Sequence, residues 1–147
     1  MSAERPAPAR RKAFAAFEPI DTRWADNDVY GHINNVAYYA FFDTAVNRWL
    51  IRAGLLNVEA GKTIGLVVET GCRYHAPAAF PEPLEAGLRV ARLGSSSVTY
   101  ELAIFRRGGE TAIAEGRFTH VYVDRETRRP APLAAHWRET LSALQTG

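Results

Sequence analysis

From Val36 to Phe42 the chain is apolar at every position, and the polar residues Asp43, Asn47, Arg48 and Arg52 follow on one side. This pattern predicts a helix over about Asn35–Ala53, with Asn34 as its N-cap and Gly54 just past its end. A helix that is apolar all round in its first two turns is expected to be sheathed by other structure. Beyond Gly61 the period changes to two. Strands are predicted near Thr63–His75, Leu84–Leu93, Ser97–Arg107 and Glu110–Asp124. The third alternates most clearly, with Val98, Tyr100, Leu102 and Ile104 pointing one way and Thr99, Glu101 and Ala103 the other. Gly108-Gly109 is a hairpin signal before the last strand, and Gly116 within it suggests a bulge. An earlier strand fits Phe17–Trp24. A closing amphipathic helix fits Leu133–Leu144, with Leu133, Trp137, Leu141 and Leu144 on one stripe.

Runs of strands without intervening helices argue for an antiparallel sheet. The expected fold is α+β: about five antiparallel strands wrapped round a long central helix, with a short C-terminal helix. Such a sheet leaves edges open, which favours a homo-oligomer. Hydrophobic residues at 47% and charged residues at 23% suit a globular chain. At 147 residues it fits one domain, expected over residues 13–147. Residues 1–12 hold four basic residues and one acidic. That +3 in a total of +2 leaves the remainder at −1, so the tail carries the basic excess and is expected to be mobile. The near-neutral domain offers no basic, aromatic-interleaved surface for nucleic acid. No apolar run is long enough to span a bilayer or serve as a signal peptide, so no membrane partner and a cytoplasmic location are expected. A single cysteine, Cys72, excludes a disulfide framework. His32, His75, His120 and His136 lack metal-ligand spacing, so no metal is expected.

The loop Asp26–Asn35 (DNDVYGHINN) gathers two carboxylates, a histidine and three carboxamides at a helix N-terminus. Helix N-termini present unpaired N–H groups and the positive end of the helix dipole. Such a place can meet an anion or a developing oxyanion. A carboxylate beside it can serve as nucleophile or as general base. The bland alternative is a loop whose Asp and Asn side chains only cap turns. Two other motifs fail. Ala60-Gly-Lys-Thr63 precedes a strand instead of a helix, unlike a phosphate-binding loop. Gly94-Ser-Ser-Ser-Val98 lacks the final glycine of a nucleophile elbow.

Asp28-Val-Tyr-Gly-His-Ile-Asn-Asn-Val-Ala-Tyr-Tyr39 resembles the signature of hotdog-fold acyl-CoA thioesterases of the 4-hydroxybenzoyl-CoA thioesterase-like branch. Arg73-Tyr-His-Ala-Pro77, Leu88-Arg-Val90 and Gly94–Val98 add weaker matches, so the resemblance spans roughly residues 17–129. It implies hydrolysis of an acyl-CoA to free acid and coenzyme A, with no cofactor beyond the substrate's own coenzyme A. Asp28 stands where the catalytic carboxylate lies, and the backbone N–H of Asn35 where the carbonyl-polarising donor lies. Candidate substrate contacts are His32, Asn34, Tyr38, Glu69 and Arg73. His32 either orients substrate or holds the loop, and Glu69 could approach a site in a partner subunit. The resemblance implies a homodimer or homotetramer with sites at the subunit interface. The competing readings are a hotdog enoyl-CoA hydratase or dehydratase, and a non-catalytic acyl-CoA binder. The Asp-x-Asn-Pro-x-His context of the former is broken here, and the presence of Asp28 argues against the latter.

Overall fold

The computed structural model describes residues 6–57 and 59–146. Five strands, β1 (Ala16–Ile20), β2 (Thr63–Tyr74), β3 (Leu84–Leu93), β4 (Ser97–Arg106) and β5 (Ala114–Asp124), form one sheet. Their order is β1-β3-β4-β5-β2, and every neighbouring pair is antiparallel. Helix α1 (Asn35–Arg52) lies against one face, and α2 (Ala135–Ser142) closes the chain. This is the hotdog arrangement, a sheet curled round one helix.

The core sits between α1 and the sheet. From the sheet come Val98, Tyr100, Leu102 and Ile104, all buried, as the alternation of β4 requires. From α1 come Tyr38, Phe41, Phe42, Ala45, Val46 and Leu50, a stripe at three- and four-residue spacing. The helix is therefore not sheathed all round as its composition suggests. One sheet covers one side, and Val36 and Ile51 stay 66% and 54% exposed. At its C-terminal end Arg48 Nη1 donates to the Pro19 carbonyl at 2.7 Å. Arg52 meets the buried Glu18 carboxylate as an ion pair at 2.9 Å, outside hydrogen-bond geometry. These two arginines pin the helix to β1. Gly54, at φ +78°, lets the chain turn off the helix without strain.

Gly116 does not bulge; its pairing with Leu102 and Cys72 is regular. The register shifts instead at Val67/Glu69 of β2 and Val90/Arg92 of β3. The glycine serves the helix: a Cβ there would lie 2.2 Å from Phe42 Cε2. Phe42 thus rests on the backbone of β5, which brings α1 down close onto the sheet.

Other boundaries move for local reasons. The first strand ends at Ile20, and Trp24–Asp26 forms a 3-10 turn. The last strand begins at Ala114 and not Glu110, because residues 110–112 pair with the N-terminal segment. Arg11 N–H donates to the Glu110 carbonyl, and Ala112 N–H to the Ala9 carbonyl, each at 2.9 Å. The expected mobile tail therefore divides. Residues 1–5 lie outside the described residues, while residues 9–12 form a strap on the outer face. Phe14, Ala103, Phe105 and Ala112 make a small second core beneath it. The Arg11 guanidinium stacks over Phe17 and pairs with Glu85. At the other end of the chain α2 buries Trp137 and Leu141, and the adjoining Leu133 and Leu144 are buried too.

A polar cluster lies within the core. The hydroxyls of Tyr100 and Tyr122 lie 3.1 Å apart, and His120 Nδ1 lies 3.3 Å from the Tyr122 hydroxyl. Burial lowers the His120 pKa below 6.5, against a smaller opposing pull from Asp43.

Two outcomes are expected. Gly116→Ala forces Phe42 off the sheet and should cost about 1–3 kcal/mol by overpacking. A urea midpoint equal to wild type would contradict the close contact. The second concerns pH. Unfolding restores the ordinary imidazole value, so below pH 6.5 the unfolded chain gains a proton that folded His120 resists. This contribution to stability is complete above 6.5 and declines as pH falls toward the folded value. Urea midpoints should drop over that window, and drop less in His120→Gln; identical pH slopes would rule the linkage out.

Candidate active site

The loop before α1 is built by its own short polar side chains. Asp26, 4% exposed, accepts the Arg23 N–H at 2.7 Å on one oxygen and the Arg23 guanidinium at 2.9 Å on the other. That hydrogen bond and the Asp26 charge raise the Arg23 pKa further. The Asp26 carbonyl accepts the Asn34 N–H at 2.7 Å. Asp26 thus orders the loop.

Asp28 opens a tight turn. Its N–H donates to the His32 carbonyl at 2.8 Å, and its carbonyl accepts the Gly31 N–H at 3.1 Å. Gly31, at φ +80°, takes a conformation open to glycine. The Tyr30 N–H donates to Asp28 Oδ1 at 2.9 Å. Among the described residues no donor reaches Oδ2, so half of this half-buried carboxylate is free for chemistry.

The turn is tied to the proline-rich crossing after β2. The Ile33 N–H donates to the Ala78 carbonyl at 2.7 Å, and the Phe80 N–H to Asn27 Oδ1 at 3.0 Å. At the helix start, Asn34 Oδ1 accepts the Val36 N–H at 3.0 Å, the N-cap expected of it. The Asn35 N–H has no acceptor among the described residues. Its carbonyl is held by the Tyr74 hydroxyl, which donates at 2.8 Å from the end of β2. Tyr74 also packs edge-on against Tyr38, with ring centroids 5.3 Å apart.

These groups line one open cleft of about 370 Å³, with Asp28, His32, Ile33 and Asn35 on one side and Tyr38 and Tyr74–Pro77 on the other. Burial pushes the Tyr38 hydroxyl up to about 12 and raises the Tyr74 hydroxyl and the Cys72 thiol as well. The aromatic wall therefore stays neutral beside the carboxylate.

Of the candidate residues, Asp28, His32, Asn35 and Tyr38 come together here. The His32 carbonyl holds the loop, while its imidazole is exposed and lines the cleft. Asn34 serves the helix cap. Glu69 and Arg73 do not join them within one chain. They pair with Thr119 and Glu115, whose side chains alternate with Gly116 and so face away from α1. Tyr74 and His75 were not singled out from sequence. The signal lay in the alternation of β2, which puts Tyr74 on the same face as Cys72, toward the helix. Among the described residues, no group of three or more His, Cys, Asp and Glu is arranged to hold a metal ion.

Comparison with known proteins gives the family of the chain. A structure of the PA5185 protein of Pseudomonas aeruginosa is 56% identical, with a TM-score of 0.92 over 97% of this chain and 99% of that one. PA2801 of Pseudomonas aeruginosa, described as a putative thioesterase, is 26% identical with a TM-score of 0.77, over 86% and 97% of the two chains. A Thermus thermophilus thioesterase solved with coenzyme A and zinc is 29% identical with a TM-score of 0.72, over 90% and 95%. The model of the thioesterase-like superfamily matches residues 22–141. With most of its length matched, from the loop that carries Asp28 through to α2, the chain belongs to the thioesterase-like superfamily.

Proposed function

We propose that the protein hydrolyses acyl-CoA thioesters, with Asp28 as the reacting carboxylate and the Asn35 N–H as the oxyanion donor. One observation carries this reading: Asp28, with one carboxylate oxygen free, and Asn35, with an unpaired helix N-terminal N–H, line the same cleft. A thioester carbonyl set against the Asn35 N–H is polarised by that donor and by the helix dipole behind it. As its carbon becomes tetrahedral, negative charge collects on the oxygen facing the amide. Tyr74 holds the residue that bears this donor, by donating to the Asn35 carbonyl on the next peptide unit.

Two routes use Asp28. As general base it takes a proton from water, whose oxygen bonds to the carbonyl carbon. As nucleophile it forms a mixed anhydride that water then opens. Either way the C–S bond breaks, the thiol leaves with a proton, and the acid is released. In labelled water, label entering the Asp28 carboxylate marks the anhydride route, because direct attack by water labels the product acid alone. Neither route calls for a cofactor besides the coenzyme A of the substrate. Tyr38 and Tyr74 would line the acyl end. The thioesterase solved with coenzyme A supports a substrate of that class.

We also infer a homodimer or homotetramer, with Glu69 at the interface. Leu66, Val67 and Val68 stand 40%, 46% and 59% exposed on β2, an edge strand. Three consecutive apolar residues on an open edge are a template for strand pairing. Among the described residues no helix is long and apolar enough to cross a membrane, and the proposed reaction suits the cytoplasm.

Free-thiol release from a panel of acyl-CoAs tests the activity. Asp28→Asn should lower kcat about 10²–10⁴-fold, the range of a lost acid–base group, with little change in binding. Wild-type turnover in that variant would sink the assignment. In sedimentation, Leu66→Asp/Val68→Asp should shift the assembly to monomer and reduce activity. An unchanged sedimentation coefficient would place the interface elsewhere.

A further inference from the structure

The face of the sheet turned away from α1 holds a second basin, of about 420 Å³. The register lays it out in rows. Arg89 faces Glu101, Glu101 faces Arg117, and Arg117 faces Gly71; in the next row Glu115 faces Arg73. A Cβ on Gly71 would meet nothing within 4 Å, so the floor between Arg73 and Arg117 is open.

The charges of the basin do not balance, since three guanidiniums face two carboxylates. Both carboxylates are already engaged. Glu101 takes Arg89 Nε at 3.3 Å, and Glu115 Oε2 takes His75 Nε2 at 2.6 Å and the Ala9 N–H at 3.0 Å. Arg89 is further held by the Ala13 carbonyl at 3.0 Å and lies over the Phe14 ring. Arg73 and Arg117 are exposed and, among the described residues, their guanidinium groups hold no ion pair or hydrogen bond. They are diagonal neighbours across the β2–β5 ladder, close enough for two long side chains to grip one ligand. Their planar forks match phosphate oxygens, and an anion between them removes their mutual repulsion.

The basin adjoins the catalytic cleft. Residues 71–73 line the first and residues 74–77 the second, on opposite faces of the same strand end. The partition is the His75–Glu115 contact, with His75 on the cleft and Glu115 on the basin. A molecule reacting at Asn35 and crossing the end of β2 arrives at the two free arginines.

We propose that Arg73 and Arg117 form a phosphate subsite on the outer face of the sheet, which receives the phosphorylated end of the coenzyme A thioester. The pantetheine arm runs past His75 and over the end of β2. This subsite rests on the acyl-CoA reading above. It gives Arg73 a role its orientation denies it in the cleft, and it adds Arg117, to which the sequence alone points no attention.

The test compares hexanoyl-CoA with hexanoyl-N-acetylcysteamine, which carries the same thioester without phosphates. Wild type, Arg73→Ala, Arg117→Ala, the double variant and Lys62→Ala, a control at the far end of β2, are assayed with both. For hexanoyl-CoA, KM should rise about tenfold per arginine, the loss of one charge-assisted hydrogen-bonded contact, with kcat unchanged. For the truncated thioester, and for Lys62→Ala with either substrate, KM should stay at wild type. An unchanged KM for hexanoyl-CoA, or a parallel rise for both thioesters, overturns the subsite. So does a change in sedimentation with KM unmoved, which would make the basin a contact between copies. If wild type hydrolyses neither thioester, the hydrolase reading fails on its own, and calorimetry still decides the subsite. Adenosine 3′,5′-bisphosphate bound by wild type and lost in the double variant supports it. Equal binding by both proteins, or binding of inorganic diphosphate alone, overturns it.

Discussion

Because Gly116 has no side chain, the Phe42 ring lies directly on the backbone of β5, and that contact sets the height and direction of α1. Once the helix is seated there, its first turn is carried to the end of β2, where the Tyr74 hydroxyl takes the Asn35 carbonyl. The opposite end is held by Arg48 and Arg52 on β1. A helix fixed at its middle and both ends has little freedom to move its N-terminus. A donor must already point at the place where charge will form if it is to lower a barrier without reorganising.

The polar loop places a carboxylate on the same cleft as Asn35. It does so through main-chain bonds to the crossing after β2 and through the buried carboxylate of Asp26. The division of labour between the two aspartates follows from their partners. Asp26 spends both oxygens on Arg23 and the loop, whereas Asp28 spends one and keeps the other. A neutral aromatic wall of Tyr38 and Tyr74 completes the cleft. The N-terminal strap works on the other face, covering the sheet over β3 and β4 and leaving the arginine basin beside β2 and β5 open.

Most of the fold was legible because its signals are local. The alternation of β4, the N-cap Asn34 and the stop at Gly54 each follow from a few adjacent residues. The loop that bears Asp28 was legible for the same reason, since its motif is contiguous. What escaped depends on residues far apart in the chain. Gly116 reads as a bulge until Phe42 is seen above it. Residues 110–112 read as strand until the strap claims their hydrogen bonds. Arg73 reads as a substrate contact of no stated place until the register turns it to the outer face, and Tyr74 gains meaning only through its bond to Asn35. The helix looked sheathed because composition reports how apolar a segment is, not how much of it a single sheet can cover.

Infrared difference spectroscopy of a thioester labelled at its carbonyl carbon, bound to the Asp28→Asn protein, reads the oxyanion site itself. If the Asn35 amide polarises the bound carbonyl, the labelled band moves to lower frequency than for the same thioester in water. A band at or above its position in water would contradict the account, because the carbonyl would then lie away from the helix N-terminus.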